Sequence, residues 1–314
     1  MKKIVAIITT IILLFSLCGC EKYSDYKEIE SRLFVSALGI DETSSGITLY
    51  AESAISNSTS EGYKVSVLSS TADTIPEAFD GIKNSTPLSL DLSHLAVIIL
   101  GKCKEDTEKK LGQYLLSKPE DMLSCYFVYC DSAKDLITCG KDTPVGYSLS
   151  YALKKNYYAG GKRTNSTLLD ILDSPEAFSI PYFVASKSEF SYAGAVYYKG
   201  VERIAIKDEN EARLIRLLSG DFLRGGITVK GKTYDIKNTN FLQSTAGDSI
   251  KIILSVSLDS NTEIDILKNE LLRVLNEWKE DYKVNIFRFS SKGKPLSNAE
   301  FQKYAIDLTV KPTN

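Results

Sequence analysis

The residues with the greatest potential for chemistry lie together at Asp91, Ser93 and His94, a stretch that holds the only histidine of the chain. A carboxylate, a hydroxyl and an imidazole are the groups of a nucleophilic triad. In such triads the three groups come from distant segments of the chain, whereas these three are sequence neighbours. We therefore interpret His94 as a structural residue that forms hydrogen bonds at the entrance to the apolar strand that follows it.

Thiols are the second group of candidates. Of the six cysteines in the chain, four lie beyond the first twenty residues: Cys103, Cys125, Cys130 and Cys139. In an oxidising compartment four cysteines allow three disulfide connectivities. Cys125 and Cys130 are five positions apart in a predicted strand, so their side chains point to opposite faces and do not bond to each other. The alternative is that all four are buried thiols that pack like small apolar side chains.

Motifs of established chemistry do not occur in the sequence. It has no histidine and cysteine spacing of a metal site, no calcium loop, no phosphate-binding glycine loop and no Gly-x-Ser-x-Gly elbow. Ser291 and Lys294 match Ser-x-x-Lys by spacing alone, and Asp170 and Asp173 form an acid pair of the kind common on solvated helix faces. The sequence therefore predicts no catalytic residue, no metal, no cofactor and no enzymatic activity.

The first twenty residues predict export and lipid attachment. Two lysines precede an uncharged, mostly apolar stretch from residue 4 to 17, which ends in Leu17-Cys18-Gly19-Cys20. This is the order of regions in a signal peptide, and its last four residues resemble a lipobox. The apolar stretch is too short for a permanent membrane span. We predict a signal peptide at residues 1–19, a diacylglyceryl lipid on Cys20 and a polar tether at residues 20–31.

The charge balance excludes one class of partner. The whole chain has 38 basic and 40 acidic side chains, and the predicted signal peptide removes two lysines and no acid. The exported body is therefore mildly acidic. Nucleic-acid binding normally shows as a basic patch or stripe, so we predict no nucleic-acid partner.

The first part of the body mixes strands with helices. Residues 95–100 are an unbroken apolar run before Gly101, as expected for a strand buried on both faces at the centre of a sheet. Thr74 and Pro76 predict the start of a helix that reaches residue 83. Similar patterns predict strands at residues 33–40, 47–55, 63–69 and 125–130, and helices at residues 106–118, 132–138 and 166–172.

The second part of the body contains the strongest helix prediction. Over residues 262–282, apolar residues recur at spacings of three and four and form one face, which is typical of a helix packed on a core. The other predicted elements are a hairpin of residues 191–198 and 201–206, a helix capped by Asp208 that runs to Leu218, and strands at residues 284–289 and 305–310.

These elements indicate the fold class. Strands and helices mix without a regular alternating unit, which favours α+β over a doubly wound sheet. We predict successive domains, each with a mostly antiparallel or mixed sheet and packed helices. The Ser-Lys-Ser segment at residues 186–188 marks the predicted boundary between residues 32–187, as one or more N-terminal domains, and a C-terminal domain of residues 188–314.

Several short segments, taken in order, resemble the Ger(x)C family of spore germination lipoproteins, the C subunits of nutrient germinant receptors. No segment is specific alone, but their order extends over nearly the whole exported chain. Glu21-Lys22 follows Cys20 where members of the family carry Trp-Asp, and the region after Lys199 is shorter than is usual, which shortens the predicted C-terminal domain. The segments are FVSALGID (34–41), LDLSHL (90–95), IILG (98–101), STLLDIL (166–172), IP (180–181), GAVYYKG (194–200), the Trp278 helix and the closing strand at residues 301–310.

The resemblance implies an α+β lipoprotein without catalysis. It would work with an integral membrane A subunit and a transporter-like B subunit at the outer face of the inner spore membrane; whether it binds a small molecule is left open. The alternative is a solute-binding lipoprotein of an importer, which predicts two similar α/β lobes. A cell-wall hydrolase would need a catalytic constellation that the sequence lacks.

Overall fold

The computed structural model describes residues 31–56, 63–117, 124–140, 143–155, 166–173, 176–258 and 260–313. The predicted signal peptide, Cys20 and nearly all of the tether lie outside these ranges. Among the described residues, no helix is both long enough and apolar enough to cross a membrane.

One large mixed sheet forms the first part of the described chain. Its strand order is β3-β2-β1-β5-β6-β7-β8-β9, with the short β4 also paired to β1. The four middle strands, β1, β5, β6 and β7, are parallel to one another, whereas β2 and β3 at one end and β8 and β9 at the other pair antiparallel. The strands are β1 (Arg32–Thr43), β2 (Gly46–Ser56), β3 (Tyr63–Ala72), β4 (Ser89–Asp91), β5 (Val97–Leu100), β6 (Tyr126–Tyr129), β7 (Phe178–Ala185), β8 (Phe190–Lys199) and β9 (Glu202–Asp208).

Helices cover both faces of this sheet. One face, called here the α1 face, packs against α1 (Ile75–Asn84), α2 (Glu105–Leu116) and α5 (Leu168–Leu172). The other, called the α3 face, packs against α3 (Ala133–Thr138) and α4 (Val145–Lys155). Because side chains alternate along a strand, β5 supplies residues to both cores. Its position between β1 and β6 and its complete burial confirm the central strand that its apolar run predicts.

A second core follows β9. Its largest buried side chain is Trp278, and it also includes Ala195 and Tyr197 from β8 of the large sheet. The predicted helix of residues 262–282 is present, but its last turn is a π-helix at Glu277–Asp281. The elements are α6 (Glu209–Leu218), β10 (Gly225–Val229), β11 (Lys232–Ile236), β12 (Thr239–Ala246), β13 (Ser249–Val256), α7 (Asn261–Asn276), β14 (Ser290–Ser291), β15 (Lys294–Pro295), α8 (Asn298–Lys303) and β16 (Ala305–Pro312).

Three small sheets lie in the part of the chain that forms this second core. β12, β13 and β16 form a three-stranded sheet, whereas β10 pairs with β11 and β14 with β15. The large sheet and the three-stranded sheet are both mixed and both pack against helices, which confirms the α+β class. The predicted boundary between residues 187 and 188 falls in the turn of the β7–β8 hairpin, so the large sheet continues beyond it to β9. The division into domains stays a prediction.

Helix caps account for most of the helix starts that the sequence predicts. The side chains of Thr74, Ser132 and Asp208 accept hydrogen bonds from the backbone N–H three residues later, at the beginning of α1, α3 and α6. Each bond satisfies one of the N–H groups that the first turn of a helix leaves without a partner. These polar residues therefore place the helix starts locally, before any tertiary contact.

The predicted strand at residues 284–289 is wrong. This segment is a turn organised by the buried side chain of Asn285, whose Nδ2 donates to the Phe289 carbonyl at 3.0 Å and the Leu296 carbonyl at 2.9 Å. Its Oδ1 accepts from the Phe289 N–H at 3.0 Å. Arg288 has a positive φ angle of 56°, which is outside the β region for a residue other than glycine. The alternating apolar side chains of this segment are buried in the second core, although the segment is a turn and not a strand.

Candidate functional site

Asp91, Ser93 and His94 form a local hydrogen-bonded turn before β5. The Ser93 hydroxyl and N–H donate to Asp91 Oδ1 at 2.5 and 2.9 Å, and the Ser93 Oγ lies 3.1 Å from His94 Nδ1. Arg32 donates to the other oxygen of Asp91. Burial acts to raise the pKa of Asp91, but the bonds from Ser93 and Arg32 outweigh it and hold that pKa below its usual value. The carboxylate therefore binds the hydroxyl and not the imidazole, unlike the order of a catalytic triad.

The four cysteines are buried free thiols in the structure. Cys103 and Cys125 belong to the core of the α1 face, and Cys130 and Cys139 to the core of the α3 face. Cys125 and Cys130 thus lie on opposite sides of the sheet, as the strand pattern predicts. Burial raises the pKa of all four thiols, that of Cys125 to about 12.

We expect these thiols to be unreactive in the folded chain. With a pKa of about 12, only about one Cys125 thiol in ten thousand is a thiolate at pH 8, and the thiolate is the nucleophile. Iodoacetamide at pH 8 should label none of the four positions without denaturant and all four in guanidinium, as read by peptide mass mapping. Labelling of a folded chain would contradict the burial, and a position that stays unlabelled in guanidinium until a reductant is added would reveal a disulfide.

Asp41 holds the start of α3 across 92 positions of sequence. Its Oδ1 accepts from the Ala133 N–H at 2.9 Å and its Oδ2 from the Lys134 N–H at 3.0 Å. A Cβ at Gly101 would approach Asp41 Oδ1 to 1.8 Å, so the carboxylate needs a glycine there. Two segments of the family resemblance, ending in Asp41 and in Gly101, are therefore parts of one contact.

Glu42 acts in the same way on α2. Its Oε2 accepts from the Lys104 N–H at 2.9 Å and the Thr107 hydroxyl at 2.7 Å, and Oε1 binds the Lys104 ammonium group. Burial acts to raise the pKa of Glu42, but these contacts outweigh it, and the pKa is lowered. The helix dipole favours a negative charge at the N-terminal end of a helix, where Glu42 lies.

Glu52 is a fully buried carboxylate at the start of α4. Its oxygens accept from the Val145 N–H at 2.6 Å, the Gly146 N–H at 2.8 Å and the Ser36 hydroxyl at 2.7 Å. Burial raises the pKa of Glu52, and these three hydrogen bonds compensate only in part. Acidic side chains of β1 and β2 thus dock three helices onto the sheet, a role that the sequence patterns did not reveal.

Asp170 also has a local role. It forms a capping box with Thr167 at the start of α5, in which each side chain bonds to the backbone N–H of the other. Asp170 is buried, whereas its spacing from Asp173 predicts a solvated helix face for the pair. That prediction is wrong for Asp170, because the capping box turns its side chain towards the first turn of the helix.

The α1 face carries an open apolar cavity of about 310 Å³. It lies between α2, α5, β7 and the β8–β9 turn, and Leu172 and Val201 at its rim are exposed. Side chains that give it apolar walls include Phe127, Leu168, Ile171, Phe178 and Ile180.

Glu108 and Tyr198, which line this cavity, form a hydrogen-bonded cluster with Arg203. Glu108, whose side chain is 5% exposed, accepts from Arg203 Nη1 at 3.1 Å and from the Tyr198 hydroxyl at 3.1 Å. The Arg203 guanidinium also lies over the Tyr129 ring. Burial raises the pKa of Tyr198 well above its usual value, so the phenol stays protonated and donates.

A smaller polar cavity, of about 70 Å³, lies where β7 and β8 meet α6. Arg216, Asp221 and Arg288 give it side chains of both charges. Across the part of the chain that the structure describes, no group of three or more histidine, cysteine or acidic side chains could hold a metal ion.

Comparison with known proteins gives the chain its family. The family model described as the spore germination protein N-terminal domain matches residues 25–185, just over half of the chain. A solved structure titled "Crystal Structure of the GerBC protein" shares 18% sequence identity, with a TM-score of 0.43 over 88% of this chain and 97% of that one. No curated protein matches the sequence. The matched range covers β1 to β7 and the three helix-docking carboxylates, and on this match the chain belongs to the Ger(x)C family of spore germination proteins.

Proposed function

We infer that the chain is the lipid-anchored C subunit of a nutrient germinant receptor and is required for nutrient-triggered spore germination. The family match over residues 25–185 is the observation that carries this proposal. The subunit acts by contact with the integral membrane A and B subunits and performs no catalysis. A solute-binding lipoprotein, the alternative considered above, predicts two similar lobes, whereas the described chain has one large sheet and three small ones.

The anchor in this proposal is the lipid on Cys20, which holds the protein at the outer face of the inner spore membrane. The sequence of residues 1–20 supports it, because an uncharged stretch ends in Leu17-Cys18-Gly19-Cys20. Two acyl chains give stable membrane attachment where one gives only marginal binding.

We expect the Cys20→Ala variant to lose the lipid, because it lacks the acceptor thiol. The measurement is palmitate incorporation. Cys18→Ala is the matched control, since it also removes a thiol from the same segment but leaves the acceptor. Equal palmitate incorporation in Cys20→Ala and the parent chain would refute the anchor.

Partner contacts need a separate experiment. We expect an affinity-tagged chain, extracted from spores in mild detergent, to copurify with two polytopic membrane proteins, and deletion of its gene to abolish the germination response to at least one nutrient. Recovery of the chain alone, together with normal germination of the deletion strain towards all nutrients, would overturn the proposed function.

A further inference from the structure

We propose that the apolar cavity of the α1 face binds a small, uncharged, apolar molecule. Its volume of about 310 Å³ lies at the lower end of the range of small-molecule sites. The cavity has several walls, from α2, α5, β7 and the β8–β9 turn, so a ligand would be in contact on more than one side. This inference does not depend on the receptor function proposed above.

The charge of the walls defines the ligand class. Glu108 and Arg203 neutralise each other through a direct ion pair, and Tyr198 donates to the same carboxylate. Burying a charge without a partner is costly, and these groups already have partners. Lys109, the other charged residue of the lining, is solvent-exposed. An uncharged molecule therefore fits the interior better than an ion does.

Gly112 is the second observation that points to a ligand. It lies inside α2, where glycine is among the least favourable residues for a helix. A Cβ at this position would meet no atom within 4 Å, so close packing does not require the glycine. Gly112 also lines the cavity. The residue keeps open a space that any larger side chain would reduce.

The test measures binding of the fluorescent apolar probe N-phenyl-1-naphthylamine to the full chain carrying Cys20→Ser, which removes the lipid. Gly112→Leu places an isobutyl group in the cavity. Lys110→Leu is the matched control, because it adds a leucine to the same helix at an exposed position outside the lining. All variants share the same signal segment, so probe bound there cancels in the comparison.

We expect saturable binding of one probe to the parent and to Lys110→Leu, and at least a tenfold loss of affinity in Gly112→Leu. Equal affinity of Gly112→Leu and the parent would overturn the proposal. Absence of saturable binding to the parent would also overturn it. If circular dichroism shows Gly112→Leu to be unfolded, Gly112→Ala decides: weaker binding supports the site and unchanged binding refutes it.

Discussion

The Glu52→Ala variant is expected to lose about 4 kcal/mol of unfolding free energy. The substitution leaves the Val145 and Gly146 N–H groups and the Ser36 hydroxyl without their acceptor, in a place where Glu52 is fully buried. Each buried donor left without a partner costs about 1–3 kcal/mol, and the space of the missing side chain adds a cavity term. Urea unfolding of the full chain, followed by far-UV circular dichroism, measures the loss.

Two further variants test whether the loss of stability comes from the missing carboxylate. Glu202→Ala removes an exposed glutamate at the start of β9 and should change the unfolding free energy by less than about 0.5 kcal/mol. Glu52→Gln keeps the shape but offers only one acceptor atom, so it should lie between the parent and Glu52→Ala. A Glu52→Ala variant as stable as Glu202→Ala would show that α4 does not depend on this carboxylate.

The sequence predicts those parts of the fold that depend on local rules. The cap residues Thr74, Ser132 and Asp208 mark helix starts because their bonds reach only three residues along the chain. The central strand β5 is equally predictable, since a short apolar run before a glycine reports burial on both faces.

Contacts between distant residues were not predictable in this way. Glu52 meets α4 at a separation of 93 residues, and Asp41 meets α3 at 92. A glutamate between Ala51 and Ser53 in a predicted strand is the one local signal, because a buried carboxylate needs a partner that the strand itself does not supply. The strand prediction for residues 284–289 was wrong for a related reason. Its apolar residues alternate as in a strand, but the side chain of Asn285 closes the segment into a turn.

The candidate binding cavity likewise combines one feature that the sequence shows with contacts between distant residues that it does not. Gly112 is visible in the sequence as a glycine within a predicted helix, a pattern that signals either a weak helix or a packing or functional reason. Only the fold reveals which applies, because the other walls come from β7, α5 and the β8–β9 turn, far along the chain. The family, by contrast, was predicted from the order of short segments, without any three-dimensional contact, and the family model that matches residues 25–185 confirms it.

The Trp278→Ala variant is expected to lose about 3–5 kcal/mol of unfolding free energy, since it empties the site of the largest fully buried side chain. Trp278 lies in the π-helical turn, with its ring centroid 4.8 Å from that of Tyr197 in β8 and 4.6 Å from that of Tyr282. The indole therefore joins the second core to the large sheet. Because the Trp278 Nε1 has no hydrogen-bond partner in the structure, Trp278→Phe should lose less than half as much unfolding free energy as Trp278→Ala.

Leu242→Ala, which truncates an exposed side chain of β12, is the matched control and should leave the unfolding free energy nearly unchanged. Circular dichroism must follow the unfolding, since Trp278 is the only tryptophan. A loss in Trp278→Ala no larger than in Leu242→Ala would mean that the second core and the large sheet hold together without this side chain.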